Sequence, residues 1–131
     1  MASTGIINQR ERDHALGTHP ALDDGEYLAV EDGSQVVLLP LPAGVLHIGR
    51  SVTAGLTLDD ATVSRRHALI VRDDEGTRIL DDRSLNGVRV AGRRTSAAPL
   101  RDGDVIELGR VRLHYLRRAG PARERADDIA A

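Results

Sequence analysis

Between residues 27 and 116, short apolar runs alternate with clusters of Gly, Asp and Glu. The runs at 27–30, 35–39, 45–48, 67–72, 77–80, 88–90, 105–108 and 111–116 are strand-sized and rich in Val, Leu and Ile. Their separators carry turn chemistry: Glu31-Asp32-Gly33-Ser34, Asp73-Asp74-Glu75-Gly76, Ala91-Gly92, Asp102-Gly103-Asp104 and Gly109-Arg110. Strands this short and this closely punctuated predict an antiparallel sandwich or barrel. No long helical period interrupts them. Alternation is clearest in the last run, where Val111, Leu113 and Tyr115 share one face and Arg112 and His114 the other. The same two-residue period groups His67 with Leu69 and Val71, on a face expected to point inward.

The segments 49–62 and 82–87 lack strand character. If the runs at 45–48, 67–72, 77–80 and 88–90 form an up-down meander, then Arg50, the Ser64-Arg65 pair and Asn86 fall at one end. Loops held on a rigid sandwich are where such folds carry binding sites. The flanks differ in character. Residues 1–25 mix polar residues, Pro and Gly without a sustained period and read as a flexible tail. Residues 118–131 form a second polar tail, in which Gly120-Pro121 is a stop signal and at most a short exposed helix follows. The folded unit is expected over 26–117.

Composition narrows the core and the partners. The 131 residues are 40% apolar and 29% charged, as expected of one folded domain. With no Phe, Trp or Cys, the core must come from Leu, Val, Ile and Ala, helped by Tyr27 and Tyr115. Absence of cysteine also removes disulfides, thiolate catalysis and cysteine metal ligands. A net charge of −2 lacks the basic excess of a nucleic-acid or membrane-surface binder. Neither a signal peptide nor a membrane-spanning apolar stretch is found, so a cytoplasmic protein is expected. All eighteen basic residues are arginine, a usage more often set by genome base composition than by function.

The loop end gathers Gly49-Arg50-Ser51, Val63-Ser64-Arg65-Arg66-His67 and Arg83-Ser84-Leu85-Asn86-Gly87. Arginine forks, small hydroxyls and one amide suit a phosphate carried on a peptide. A phosphorylated side chain carries about −1.5 to −2 charges near neutral pH, so most of the attraction would depend on it. Taken singly, each of these residues is as ordinary as any solvated loop arginine or serine; convergence is what makes a site. An enzyme built on Ser64 and His67 would need a nucleophile elbow, which is missing, and an orienting carboxylate to be found among Asp59, Asp60 and Asp81. No metal site is expected, because His14, His19, His47, His67 and His114 lack ligand spacing. No cofactor is implied, and no nucleotide-binding loop ending in Lys-Ser or Lys-Thr exists.

In order, Ile48-Gly49-Arg50, Val63-Ser64-Arg65-Arg66-His67 and Ser84-Leu85-Asn86-Gly87 resemble the signature of the forkhead-associated (FHA) domain. Leu100-Arg101-Asp102-Gly103-Asp104 and Ile106-Glu107-Leu108-Gly109 are similar to that family's final hairpin. The resemblance implies an all-β antiparallel sandwich of about eleven short strands. It implies a non-enzymatic module that docks a phosphothreonine peptide, the partner being a Ser/Thr kinase or a kinase substrate. By this resemblance Arg50 contacts the phosphopeptide, Ser64 gives its hydroxyl and Arg65 its charge to the phosphate, and Asn86 holds the peptide main chain. Gly49, His67 and Gly87 take the family's structural positions, with Ser51, Arg66, Ser84 and Leu85 as accessory candidates. The alternative is a phosphate-independent interaction or scaffold module on the same fold.

One position departs from the pattern. Leu85 stands where many members have Thr or Ser before the Asn-Gly pair, and Ser84 is one residue early. A hydrogen bond to a charged group is worth about 1.5–3 kcal/mol, so affinity is expected to be moderated rather than abolished. In the N-terminal tail, Thr4 and Thr18 are candidate phosphosites, each with an apolar residue three positions on (Ile7 and Ala21). Either, once phosphorylated, would allow self-association or an intramolecular switch.

Overall fold

Two stacked β-sheets bury a single aliphatic core between them. The computed structural model describes residues 25–118; Thr4, Thr18 and the segment after Pro121, read as at most a short exposed helix, lie outside them. Eleven strands occur in chain order: β1 (Gly25–Asp32), β2 (Gln35–Pro40), β3 (Gly44–Gly49), β4 (Leu56–Thr57), β5 (Ala68–Asp73), β6 (Gly76–Asp81), β7 (Val88–Val90), β8 (Arg93–Thr95), β9 (Ala97–Pro99), β10 (Val105–Leu108) and β11 (Val111–Arg118). One sheet has the order β2-β1-β11-β10-β7-β8 and the other β4-β3-β5-β6-β9. Pairing is antiparallel throughout except for the short β3–β4 ladder, which is parallel.

Period-2 patterning sets which side chains enter the core. Val111, Leu113 and Tyr115 of β11 are buried, as their spacing predicts, and meet Leu28, Ile48, Ile70, Ile79, Ile106 and Leu108. Burying each such side chain contributes about 1.5–3 kcal/mol. Tyr115 brings a hydroxyl into this apolar setting and must satisfy it. It donates to Glu26 Oε1 at 2.5 Å. Thr77 donates to the same oxygen, and Arg72 Nε lies 3.1 Å from the other. Glu26 and Tyr115 belong to one sheet, Thr77 and Arg72 to the other, so this cluster clasps the two sheets together.

Two expectations are corrected. Strands β3, β5 and β6 are antiparallel neighbours, but β7 is not the fourth member of that meander. It crosses to the other sheet and pairs with β10 and β8. The β6–β7 segment therefore spans the gap between sheets at one end of the sandwich. His67 is buried, at 0% exposure, but not on a face shared with Leu69 and Val71. The buried face of β5 is Ala68 and Ile70; Leu69 and Val71 stay partly exposed on the outer face. His67 precedes the strand and turns inward independently of its alternation.

Candidate functional site

Three connecting segments meet at one end: β3–β4 with Arg50 and Ser51, β4–β5 with Ser64 and Arg65, and β6–β7 with Ser84, Leu85 and Asn86. Main-chain bonds fasten the first two. Arg50 N–H donates to Ser64 O at 2.9 Å, Ser51 N–H to Arg65 O at 3.2 Å, and His67 N–H to Ile48 O at 2.9 Å. The approach is so close that a Cβ built on Gly49 would lie 1.9 Å from the Arg65 carbonyl oxygen. Only glycine fits there.

His67 ties the second segment to the third. Its Nδ1 accepts the Ser64 main-chain N–H at 3.0 Å, and its Nε2 lies 2.8 Å from Gly87 O. A carbonyl can only accept, so Nε2 carries the proton and the ring is the neutral Nε2–H tautomer. This geometry leaves no nucleophile–base pair, because the ring engages the Ser64 backbone and not its hydroxyl. Ser64 Oγ instead accepts the Leu85 N–H at 2.9 Å. With that lone pair occupied by the protein, the hydroxyl hydrogen remains to be donated outward.

The charged members are differently disposed. Arg50 Nε donates to Val63 O at 3.0 Å, which fixes the arm of this exposed side chain while its terminal nitrogens keep their donors. Arg65 is exposed and has no ion-pair partner among the described residues. Arg66, by contrast, forks onto Asp82 at 3.1 and 3.3 Å and is already neutralised. Asn86 uses one amide N–H on Thr62 O at 2.7 Å, leaving its other N–H and its carbonyl oxygen.

The accessory candidates separate in the same way. Ser51 builds a turn with Thr53, through its hydroxyl at 2.8 Å and the Thr53 N–H at 3.1 Å. Ser84 Oγ accepts the Gly87 N–H at 2.8 Å, and Ser84 N–H donates to Asp81, so both groups brace the loop from within. Leu85 presents its side chain to solvent at 84% exposure, while its main-chain N–H meets Ser64 Oγ. Arg83, at φ 64°, takes the left-handed conformation that turns the chain here.

Sequence reasoning does not single out Thr62, and it weighs Asp60 as a carboxylate for an enzyme or a turn, not as a support of this loop end. Asp60 Oδ1 accepts both the Thr62 N–H at 2.8 Å and its hydroxyl at 2.5 Å. Thr62 in turn accepts the Arg110 N–H from the β10–β11 turn at 2.8 Å and offers its carbonyl to Asn86. The Thr62 hydroxyl and main chain, with the Arg110 charge, hold the Asp60 carboxyl below its usual range against its partial desolvation. An Asp two residues before a Thr is the signal that was available, since its side chain closes a local turn on the second N–H.

Comparison with known proteins agrees with this architecture. A model of the FHA domain matches residues 46–109. The ABC transporter ATP-binding/permease protein Rv1747 of Mycobacterium tuberculosis is 42% identical over 75 residues, 57% of this chain but 9% of the transporter. The oxoglutarate dehydrogenase inhibitor of Corynebacterium glutamicum is 34% identical over 121 residues, 86% of this chain and 83% of that protein. A solved structure from work on phosphothreonine-dependent FHA domain interactions superposes with a TM-score of 0.67 at 34% identity, covering 71% of this chain and 96% of that one. With an eleven-stranded sandwich, the ordered motifs on its loops and a relative matched over most of both chains, the protein belongs to the FHA domain family.

Proposed function

We propose that the chain is a phosphothreonine-dependent protein-binding module acting in Ser/Thr-kinase signalling in the cytoplasm, and that it has no catalytic step of its own. Arg50, Ser64 and Arg65 receive the phosphate, and Asn86 holds the main chain of the peptide. The observation that carries this reading is the Ser64 hydroxyl, whose oxygen is occupied by the Leu85 N–H. Its hydrogen is left to be donated, and the same loops carry Arg50 and Arg65, two exposed residues whose charge is not neutralised by any described carboxylate. Such an arrangement stays incomplete until an anion arrives, and a dianionic phosphate fits it better than a single carboxylate. The solved relative studied for phosphothreonine-dependent interactions supports the same chemistry.

The partner is a phosphorylated kinase or kinase substrate. Phosphate on Thr4 or Thr18 would make the N-terminal segment a competing ligand for the same loops, in its own molecule or a neighbour's. Titrating the full chain with a degenerate phosphothreonine peptide library tests the reading, with Arg50→Ala as the control. Phosphorylated peptides are expected to bind at micromolar Kd, about −8 kcal/mol. Equal capture of peptides stripped by phosphatase would favour a phosphate-independent scaffold instead.

A further inference from the structure

Arg89 on β7 and Arg94 on β8 are Cα partners, and both are exposed. Like charges directly opposite on an antiparallel pair repel. Glu107 sits across from Arg89 on its other side, but Arg112 lies 3.8 Å from that carboxylate. Neither Arg89 nor Arg94 has an ion-pair partner among the described residues. The arginine pair is therefore left without a direct counter-ion among the described residues, although Glu107 stays beside Arg89.

The place where the pair stands matters. Gly87 follows Asn86 directly, and Arg94 Nε and Cζ lie 2.8 and 2.9 Å from where a Cβ on Gly87 would be. The guanidinium thus occupies the space that a side chain at that position would fill. Beside it, an open hollow of about 180 Å³ is lined by Asn86, Gly87, Arg89, Glu107 and Gly109. Asn86 is shared between this hollow and the phosphothreonine site. A peptide held by the Asn86 amide would lie beside this hollow.

We propose that Arg89 and Arg94 form an anion subsite, continuous with the phosphothreonine site through Asn86-Gly87, that selects an acidic side chain on the same bound peptide. The inference rests on the phosphothreonine reading and deepens it. One anion received by both guanidiniums would make two charge-assisted contacts. The anion is a carboxylate or a second phosphorylated side chain, and these are separated by experiment.

The test uses the full chain and a phosphothreonine peptide with Ala at all other positions, into which Glu is introduced one position at a time. The quantity read is the affinity ratio of each Glu peptide to the Ala peptide, measured within each variant. In the wild type the ratio is expected to reach roughly two- to tenfold at one or two positions, as for partly exposed charge-assisted pairs. It should fall to near unity in Arg94→Gln and in Arg89→Gln. Arg93→Gln, which removes the same charge one residue away, should retain it. Phosphoserine in place of the effective Glu assigns the subsite to phosphate if the gain grows, and to carboxylate if it does not. A flat Glu scan while the Ala peptide binds would overturn the subsite alone, as would a gain that survives loss of both arginines or is lost equally in Arg93→Gln. Failure of the wild type to bind any phosphothreonine peptide would remove the parent reading and the subsite with it.

Discussion

The ring of His67 holds the main chain of Ser64: Nδ1 accepts the Ser64 N–H at 3.0 Å while the same ring reaches Gly87 O with its other nitrogen. Ser64 and Asn86-Gly87 come from different segments, and a fully buried imidazole fixes their spacing. The Ser64 segment, whose hydroxyl is proposed to meet the phosphate, is thus positioned by a buried residue.

Replacing His67 by Ala should strand the Ser64 N–H and the Gly87 carbonyl in the interior. Each unsatisfied group costs about 1–3 kcal/mol, and a cavity adds to it. Urea denaturation is expected to show a clear loss of stability. The Leu85 and Asn86 amide resonances should shift as well; a variant with an unchanged urea midpoint would contradict the tethering role.

At Ser64, Ala removes the outward donor and the acceptor for the Leu85 N–H together. Phosphopeptide affinity should fall by about 1.5–3 kcal/mol, roughly ten- to a hundredfold in Kd by calorimetry. Leu85→Thr is the converse change, adding a hydroxyl at the residue whose N–H meets Ser64 Oγ. It should tighten binding to the phosphorylated peptide and leave that of the unphosphorylated peptide unaltered. Equal tightening of both would point to packing instead of phosphate contact.

Gly49→Ala should be among the most damaging single substitutions, because its methyl would stand 1.9 Å from the Arg65 carbonyl oxygen. Backbone must move, which costs typically about 1–3 kcal/mol or more. Thermal unfolding reports the loss, and the remaining folded fraction should bind phosphopeptide weakly. Full affinity with wild-type stability would show that the two segments are not held as described.

Stability should also depend on pH through the Glu26 clasp. Desolvation pushes the Glu26 carboxyl up, but hydrogen bonds from Thr77 and Tyr115 and the charges of Arg72 and Arg117 together bring it below 4.5. A lowered carboxylate contributes stability that is present above 4.5 and is lost as pH falls through the folded value. The gap in unfolding free energy between wild type and Glu26→Gln should therefore narrow on acidification. Burial, then the bond to Glu26, pushes the Tyr115 hydroxyl up to about 12 from 10.0. Its contribution is complete below 10.0 and fades as pH rises through that folded value. A gap for Glu26→Gln that stays constant down to about pH 3 would contradict the clasp.

Strands whose one face is apolar were legible, and those without that contrast were not. In β8, Arg-Arg-Thr carries no alternation, and β9 is Ala-Ala-Pro; β4 has two residues. On β5 the difficulty is the reverse. Ala68-Leu69-Ile70-Val71 reads as part of a strand but is apolar on both sides, so its pattern does not mark which face is buried. The crossing of β7 to the other sheet depends on long-range pairing with β10, which local pattern does not encode. Arg50, Ser64, Arg65 and Asn86, the residues of the proposed site, stand out in the sequence by residue type and order. Their supports were harder to find, because the roles of Asp60 and Thr62 appear only once the β10–β11 turn is folded against them.

The most direct test of the central claim is amide chemical-shift mapping during titration with a phosphothreonine peptide and with its unphosphorylated twin. The phosphorylated peptide should move the resonances of Arg50, Ser64, Arg65, Leu85 and Asn86 as one saturable set, and the twin should leave them in place. Shifts centred away from these three loops, or the same shifts from both peptides, would contradict the account.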